Sequence, residues 1–238
     1  MTIKDKIRIA IQAELEPLGF RYYKSTNVFK HRIDNSTTVE LVYDADCFHS
    51  GFTDVTLLSG TSYRDIEEVL YKMTNRTVAK DGHFRLVGRL QWLMPEGESA
   101  NLDFSFRDND DEDVNNKKLE KLLCRMNTYA LPYIERLSHR DSAIEEAAVL
   151  DKKGLIFSEG VVPIMYCVWK RDKNAALEYL EEKRLRLLGR VKPEEWELLD
   201  RFKAGERFGE KNPLYAHAYE KYMDFANMFE KWVEGRIL

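Results

Sequence analysis

The chain has 238 residues, of which 44% are hydrophobic and 33% charged, with 6 prolines, 12 glycines and a net charge of -4. That composition excludes a disordered chain. The near-even balance of 19 basic against 22 acidic residues up to Ser138, and 18 against 19 after it, argues against a cationic nucleic-acid binder in either half. The longest uncharged stretch, Gly160 to Trp169, contains a proline and is about half of the ~20 residues a membrane-crossing helix needs, so no span is expected. Lys4, Asp5, Lys6, Arg8, Glu14 and Glu16 interrupt the first residues, which leads to the expectation of no secretory leader and a cytoplasmic location. Cys47, Cys124 and Cys167 are odd in number and form no Cys-x-x-Cys pair, so free thiols are expected.

From Ile3, the apolar positions Ile7, Ile11, Leu15 and Leu18 recur at steps of four and three and stop before Gly19, which predicts an opening amphipathic helix. Phe20 to Lys24 and Val28 to Ile33 are aromatic and β-branched and are separated by Ser25-Thr26-Asn27; Asp34-Asn35-Ser36 turns the chain again. Val39, Leu41 and Tyr43 alternate with Glu40, Val42 and Asp44, the period of a sheet with one covered face. Phe52 to Leu58 reads as a further strand closed by Gly60, after which Ser62 is expected to cap a short helix carrying Ile66, Val69, Leu70 and Met73. Phe84 to Val87, Leu90 to Met94 and Leu102 to Phe106 are expected as three more strands.

After the acidic run Asp108 to Asp113 the rhythm changes. Leu119, Leu122, Leu123, Met126 and Ala130 keep helical spacing as far as Pro132, and no later segment alternates. Asp172 is placed to cap a helix running through Leu188 with Gly189 at its exit; Pro193-Glu194-Glu195 opens another, and Asn212-Pro213 to Gly235 frames the last. The fold class is therefore α+β: an antiparallel sheet with packed helices over 1–138, and a mostly helical region over 139–238 packed on it, either as a second region or as one continuous domain. The boundary near Ser138 to Asp141 rests on the change of period, because no linker tract or repeat marks it.

Four groups of residues are candidates for chemistry. Asp44, Asp46, Cys47 and His49 cluster just past a strand and could converge on a metal, as a metal-dependent hydrolase would require, although their spacing matches no established ligand pattern. The run Asp108 to Asp113 has Asp113 where an EF-hand needs glycine and Leu119 where it needs glutamate, so it reads as acids favouring a helix amino terminus. Arg184, Arg186 and Arg190 lie in an acid-free stretch that could seat a phosphate or nucleic-acid backbone, or simply oppose a helix dipole. Tyr215, Tyr219, Tyr222, Ala226, Phe229 and Val233 form an apolar stripe along the last helix, which either packs on the helix from Asp172 to Leu188 or offers Tyr215, Tyr219, Tyr222 and Phe229 as a binding surface. Trp92 and Trp169 sit in apolar runs and read as core. His31, His83, His139 and His217 stand alone, and no nucleophile elbow, Walker loop, dinucleotide fingerprint or zinc-protease motif occurs.

Glu16-Pro17-Leu18-Gly19-Phe20, Asn27-Val28-Phe29-Lys30, Leu90-Gln91-Trp92 and Leu131-Pro132-Tyr133-Ile134-Glu135, in that order, resemble an uncharacterised bacterial family classed as a domain of unknown function. The resemblance covers about residues 1–138 and implies an α+β module with a helix on an antiparallel sheet. It extends to small bacterial immunity proteins that neutralise toxins by binding them, and carries over no catalytic residues. The function expected is therefore that of a non-enzymatic binding protein, immunity-like or accessory. It needs no cofactor, and its partner is another protein or a second copy of itself rather than nucleic acid or a membrane.

Overall fold

A computed structural model of the chain describes residues 2–46, 51–74, 85–95, 97, 104–153, 161–206 and 214–235. Two compact units divide it, Met1–Arg64 with Asp81–Glu146, and Asp65–Lys80 with Ala147–Leu238. The fold is α+β, with an antiparallel sheet in the amino-terminal part and helices through the carboxyl-terminal part.

In the first unit, helix α1 (Ile3–Leu15) starts where the Thr2 hydroxyl accepts from the Asp5 N–H at 3.1 Å. A single tighter turn, Glu16–Leu18, ends it, and Gly19 leaves at φ 85°. That conformation suits glycine, and a Cβ there would also lie 2.8 Å from the His31 ring. The sheet follows as β1 (Arg21–Tyr23), β2 (Val28–Arg32), β3 (Thr37–Asp46), β4 (Phe52–Tyr63), β5 (Arg85–Arg89) and β6 (Ser105–Arg107). Strands β1 to β5 lie side by side in sequence order, all antiparallel, and β6 pairs with β4 beyond β5. In the β2–β3 turn, burial works against ionisation of Asp34, but the N–H groups of Ser36 and Thr37, each 2.7 Å from Oδ1, hold its carboxyl below the usual range.

Along β3 and β4, Val39, Leu41, Tyr43, Ala45, Val55 and Leu57 point inward. They pack with Ile7, Ile11 and Leu15 of α1 and with Leu122, Met126, Ala130 and Ile134. Tyr43 ties strand to helix by donating to the Lys4 carbonyl at 3.1 Å, and Lys4 Nζ returns a bond to the Ala45 carbonyl at 2.9 Å.

Four expectations are corrected. Strand β4 runs through Gly60 and Ser62 to Tyr63, so Ser62 is a strand residue opposite Thr38, and helix α2 (Arg64–Met73) begins only afterwards. Leu90–Leu93 is a short helix, α3, rather than a strand. The edge of β4 that it would have extended along is taken lower down by the segment leading into β6, where the Phe104 carbonyl accepts from the Val55 N–H at 3.2 Å. With no strand left to pair, Leu90 turns into the core and Trp92 stands 45% exposed, so Trp92 is a surface residue. Finally, helix α4 (Glu112–Arg125) does not stop at Pro132: the chain widens into a π turn over Met126–Ala130 and continues as α5 (Leu131–Ser138), with Pro132 in its first turn. The wider turn accommodates the ring and the missing N–H that would break an ordinary helix.

Helix α6 (Arg140–Lys152) carries the boundary between the units. The second unit contains α2 from Asp65 on, α7 (Val161–Met165), a second π turn (Tyr166–Lys170), α8 (Lys173–Leu188), α9 (Pro193–Lys203) and α10 (Leu214–Gly235). Asp172 caps α8 as expected, accepting from the Ala175 N–H at 2.9 Å. Helices α8 and α10 run antiparallel, since Tyr222 meets Leu180 and Tyr219 meets Arg184. Between them, Ala176 and Ala226 are buried, which allows close approach.

Gly88 of β5 sits beneath the Tyr133 ring of α5, and a Cβ there would lie 2.9 Å from both Tyr133 Cε1 and Leu93 Cδ2. Gly88→Ala should cost about 1–3 kcal/mol by overpacking, while Gly189→Ala, whose Cβ meets nothing closer than 3.4 Å, should be near neutral; urea unfolding of the two variants checks this. Burial, assisted by Glu146 at Tyr133 and by Asp151 at Tyr179 and Tyr222, pushes these three phenols well above the ordinary tyrosine range. A raised folded value means that their contribution to stability is complete below about pH 10, the unfolded value, and is lost as pH rises from there through the higher folded values. Tyrosinate absorbance should therefore show these three of the 12 tyrosines ionising only as the chain unfolds; all ionising together before unfolding would refute it.

Candidate binding surface

The structure separates the residues that sequence spacing grouped. Asp44 is exposed on the outward face of β3, and Asp46, at the end of that strand, pairs with Asp54 of β4. Cys47 and His49 lie outside the described residues. Among the described residues no three His, Cys, Asp or Glu side chains converge as metal ligands do.

The basic run is drawn into ion pairs. Arg184 holds Glu181 through two contacts of 2.6 Å, Arg186 reaches Asp151 at 2.8 Å, and Arg190 stands exposed just past α8. The aromatic stripe divides: Tyr222 and Phe229 are fully buried, with Tyr222 donating to the Leu180 carbonyl at 2.7 Å, whereas Tyr219 meets the Trp196 ring edge-on and Tyr215 is 44% exposed. Within the second unit Asp151 collects Tyr179 Oη at 2.8 Å, Lys183 Nζ at 2.6 Å and Arg186 Nη2 at 2.8 Å, while Lys183 also lies over the Tyr222 ring. Two cations and a phenol on one buried carboxylate make a structural clamp between α6 and α8 rather than a reactive centre.

A cleft of about 520 Å³ in the same unit is lined by Asp65, Glu68, Val69, Lys72, Cys167, Val168 and Arg171. The Trp169 indole N–H donates to Asp65 at its border at 2.8 Å, so Trp169 is anchored by its polar edge. Its two acids and two bases surround apolar side chains without converging on one ligand class.

A different surface is built by strand register. Reading across the sheet, Tyr23 opposes Val28, Val28 opposes Val42, Val42 opposes Leu58, and Leu58 opposes Arg89. These five residues lie on the outward face, opposite the side packed by α1 and α4. Four strand spacings make the row roughly 19 Å long. It is apolar as far as Leu58, with Val28 buried at 3% exposure and Val42 and Leu58 partly exposed, and both ends carry an aromatic ring faced by a cation: Lys30 Nζ lies 5.8 Å from the ring centre of Tyr23, which is 47% exposed, and the Arg89 guanidinium lies 5.3 Å from that of Trp92. Further down the same face Phe52 is paired with Arg107 at 4.9 Å.

The next row toward the β2–β3 turn holds Arg21, Lys30 and Glu40; the one beyond it holds Arg32, Thr38 and Ser62. Glu40 is only 3% exposed and meets Lys30 at 3.0 Å. On the opposite side of the apolar row stand Asp44 and Asp54. Sequence reading missed this surface because each strand contributes only one or two residues to it. The signal present was Val42, an apolar side chain at a polar-face position between Glu40 and Asp44.

Neither a family model, nor a curated protein, nor a solved structure matches this chain. Among the described residues no helix is long and apolar enough to cross a membrane. The clamp in the second unit makes one prediction: Asp151→Ala, which strands Lys183 and Arg186 without their carboxylate, should cost about 3–5 kcal/mol in chemical denaturation. A loss below about 1 kcal/mol, the level of a surface pair, would show that the network contributes little.

Proposed function

We propose that the protein is a non-enzymatic binding protein whose recognition surface is the outward face of the sheet in its first unit. The observation that carries this reading is the apolar row in which Tyr23, Val42 and Leu58 remain at least partly exposed, with exposed aromatic rings, each faced by a cation, at both ends. Tyrosine, tryptophan and arginine are the residues that most often dominate the energy of protein interfaces, because they combine large apolar area with directional polar contacts. Tyr222 and Phe229, by contrast, already serve the packing of α10. An immunity-like role, with a toxin as the partner, is the specific form of the proposal, supported by the resemblance of residues 1–138.

The test is affinity capture from the cell that makes the protein, comparing the unaltered chain, a Tyr23→Ala/Trp92→Ala variant and a Tyr215→Ala variant. A stoichiometric partner should be retained by the first and third and weakened at least tenfold in the second, the effect of roughly 1.4 kcal/mol. Equal retention by all three, or no partner at all, would remove the proposal.

A further inference from the structure

The charge beside the apolar row specifies the chemistry of its occupant. Among the residues with described side chains on this row and the two rows toward the β2–β3 turn, the cations are Arg21, Lys30, Arg32 and Arg89 and the one carboxylate is Glu40. Lys30 neutralises Glu40 at 3.0 Å, which leaves three arginines. Arg32 donates to the Asp34 carbonyl and to Asn35 Oδ1, both neutral acceptors, so its charge stays uncompensated by them. The nearby Asp34 carboxylate is turned onto the N–H groups of Ser36 and Thr37. On a chain of net charge -4 this half of the sheet face is locally cationic, whereas the other side of the row carries Asp44 and Asp54, with Arg107 further down over Phe52.

Dimensions narrow the occupant further. A row of roughly 19 Å matches about 13 residues of α-helix at 1.5 Å per residue. Successive outward rows along a strand are about 7 Å apart, close to the lateral distance between the apolar stripe of a helix and its flank. We infer, building on the binding role proposed above, that the surface takes an amphipathic helix of a partner protein, laid along Tyr23, Val42 and Leu58, with acidic residues on the flank facing Arg21 and Arg32. The side of Asp44 and Asp54 repels a second acidic flank and so sets the direction in which the helix lies. A nucleic acid would be drawn to the arginines as well, but it would bring phosphates against Asp44 and Asp54 and leave the apolar row without a matching surface.

The experiment uses the full chain and a labelled synthetic helix with leucines on one face and glutamates along one flank, a second in which lysine replaces every glutamate, and an oligothymidylate. Fluorescence anisotropy at low salt should show the acidic helix binding at least tenfold more tightly than the other two. Arg21→Glu/Arg32→Glu should reverse the preference between the two helices, with thermal melting confirming that the variant is folded. Equal binding of the lysine helix, or tighter binding of the oligothymidylate, would overturn the inference. Its failure is distinguishable from failure of the binding role. If capture of the cellular partner is lost in Tyr23→Ala/Trp92→Ala yet unaffected by the arginine reversal and by salt, the surface stands and the acidic helix falls. If neither variant alters capture, both fall.

Discussion

Everything in the first unit depends on the ladder between β3 and β4, which holds ten residues of each strand in antiparallel register from Thr37 opposite Tyr63 to Asp46 opposite Asp54. Side chains in a strand alternate between faces, so this register decides together what is buried and what is presented. Leu41 and Leu57 go to the core under α1 because Val42 and Leu58 go to the other face. A slip of one residue would exchange the two sets and put Glu40 and Asp44 against Ile7 and Ile11, which the buried helix could not tolerate. The hydrophobic inner face thus fixes the outer face as a by-product, and the row from Tyr23 to Arg89 is placed by the same register as the core.

The second unit is held by a different principle. Its helices meet along an antiparallel seam in which small residues, Ala176 and Ala226, let α8 and α10 approach, and the buried Tyr222 bonds the Leu180 carbonyl across it. Next to this seam Lys183 is 7% exposed, a burial that its own desolvation would oppose. Asp151 and the face of Tyr222 together provide the negative counterpart, and Arg186 and Tyr179 complete the coordination of the carboxylate. Polar groups of this kind add orientation more than net stability, since an apolar set of similar volume could pack there without directional demands.

Exposed surfaces and packing surfaces use the same residue types here, and context separates them. Phe229 and Tyr222 lie on a helix whose apolar stripe finds a neighbouring helix. Tyr23 and Trp92 lie where pairing stops, one on an edge strand of three residues and the other on a turn of helix that begins as β5 ends. Edge positions are where a sheet leaves side chains uncovered, and a cation over each exposed ring keeps it hydrated on one side while preserving its apolar area.

The amino-acid sequence alone determined the class of fold and most element positions, because a period of two and a period of three to four are local properties that one strand or one helix expresses by itself. The opening helix that stops before Gly19, the alternation from Val39 to Tyr43, the Asp172 cap and the long last helix all follow from neighbours within a few residues. The sequence also named Tyr222 and Phe229 as members of an apolar stripe, but which of two surfaces covers a stripe is not a local property. The short helix at Leu90 misled because its leucines and tryptophan suit a strand, and only the occupation of the β4 edge by β6 excluded that. Tertiary structure alone decided the outward row: Tyr23, Val28, Val42, Leu58 and Arg89 come from five strands, and register is set by the burial of the residues on the other face rather than by the residues in the row.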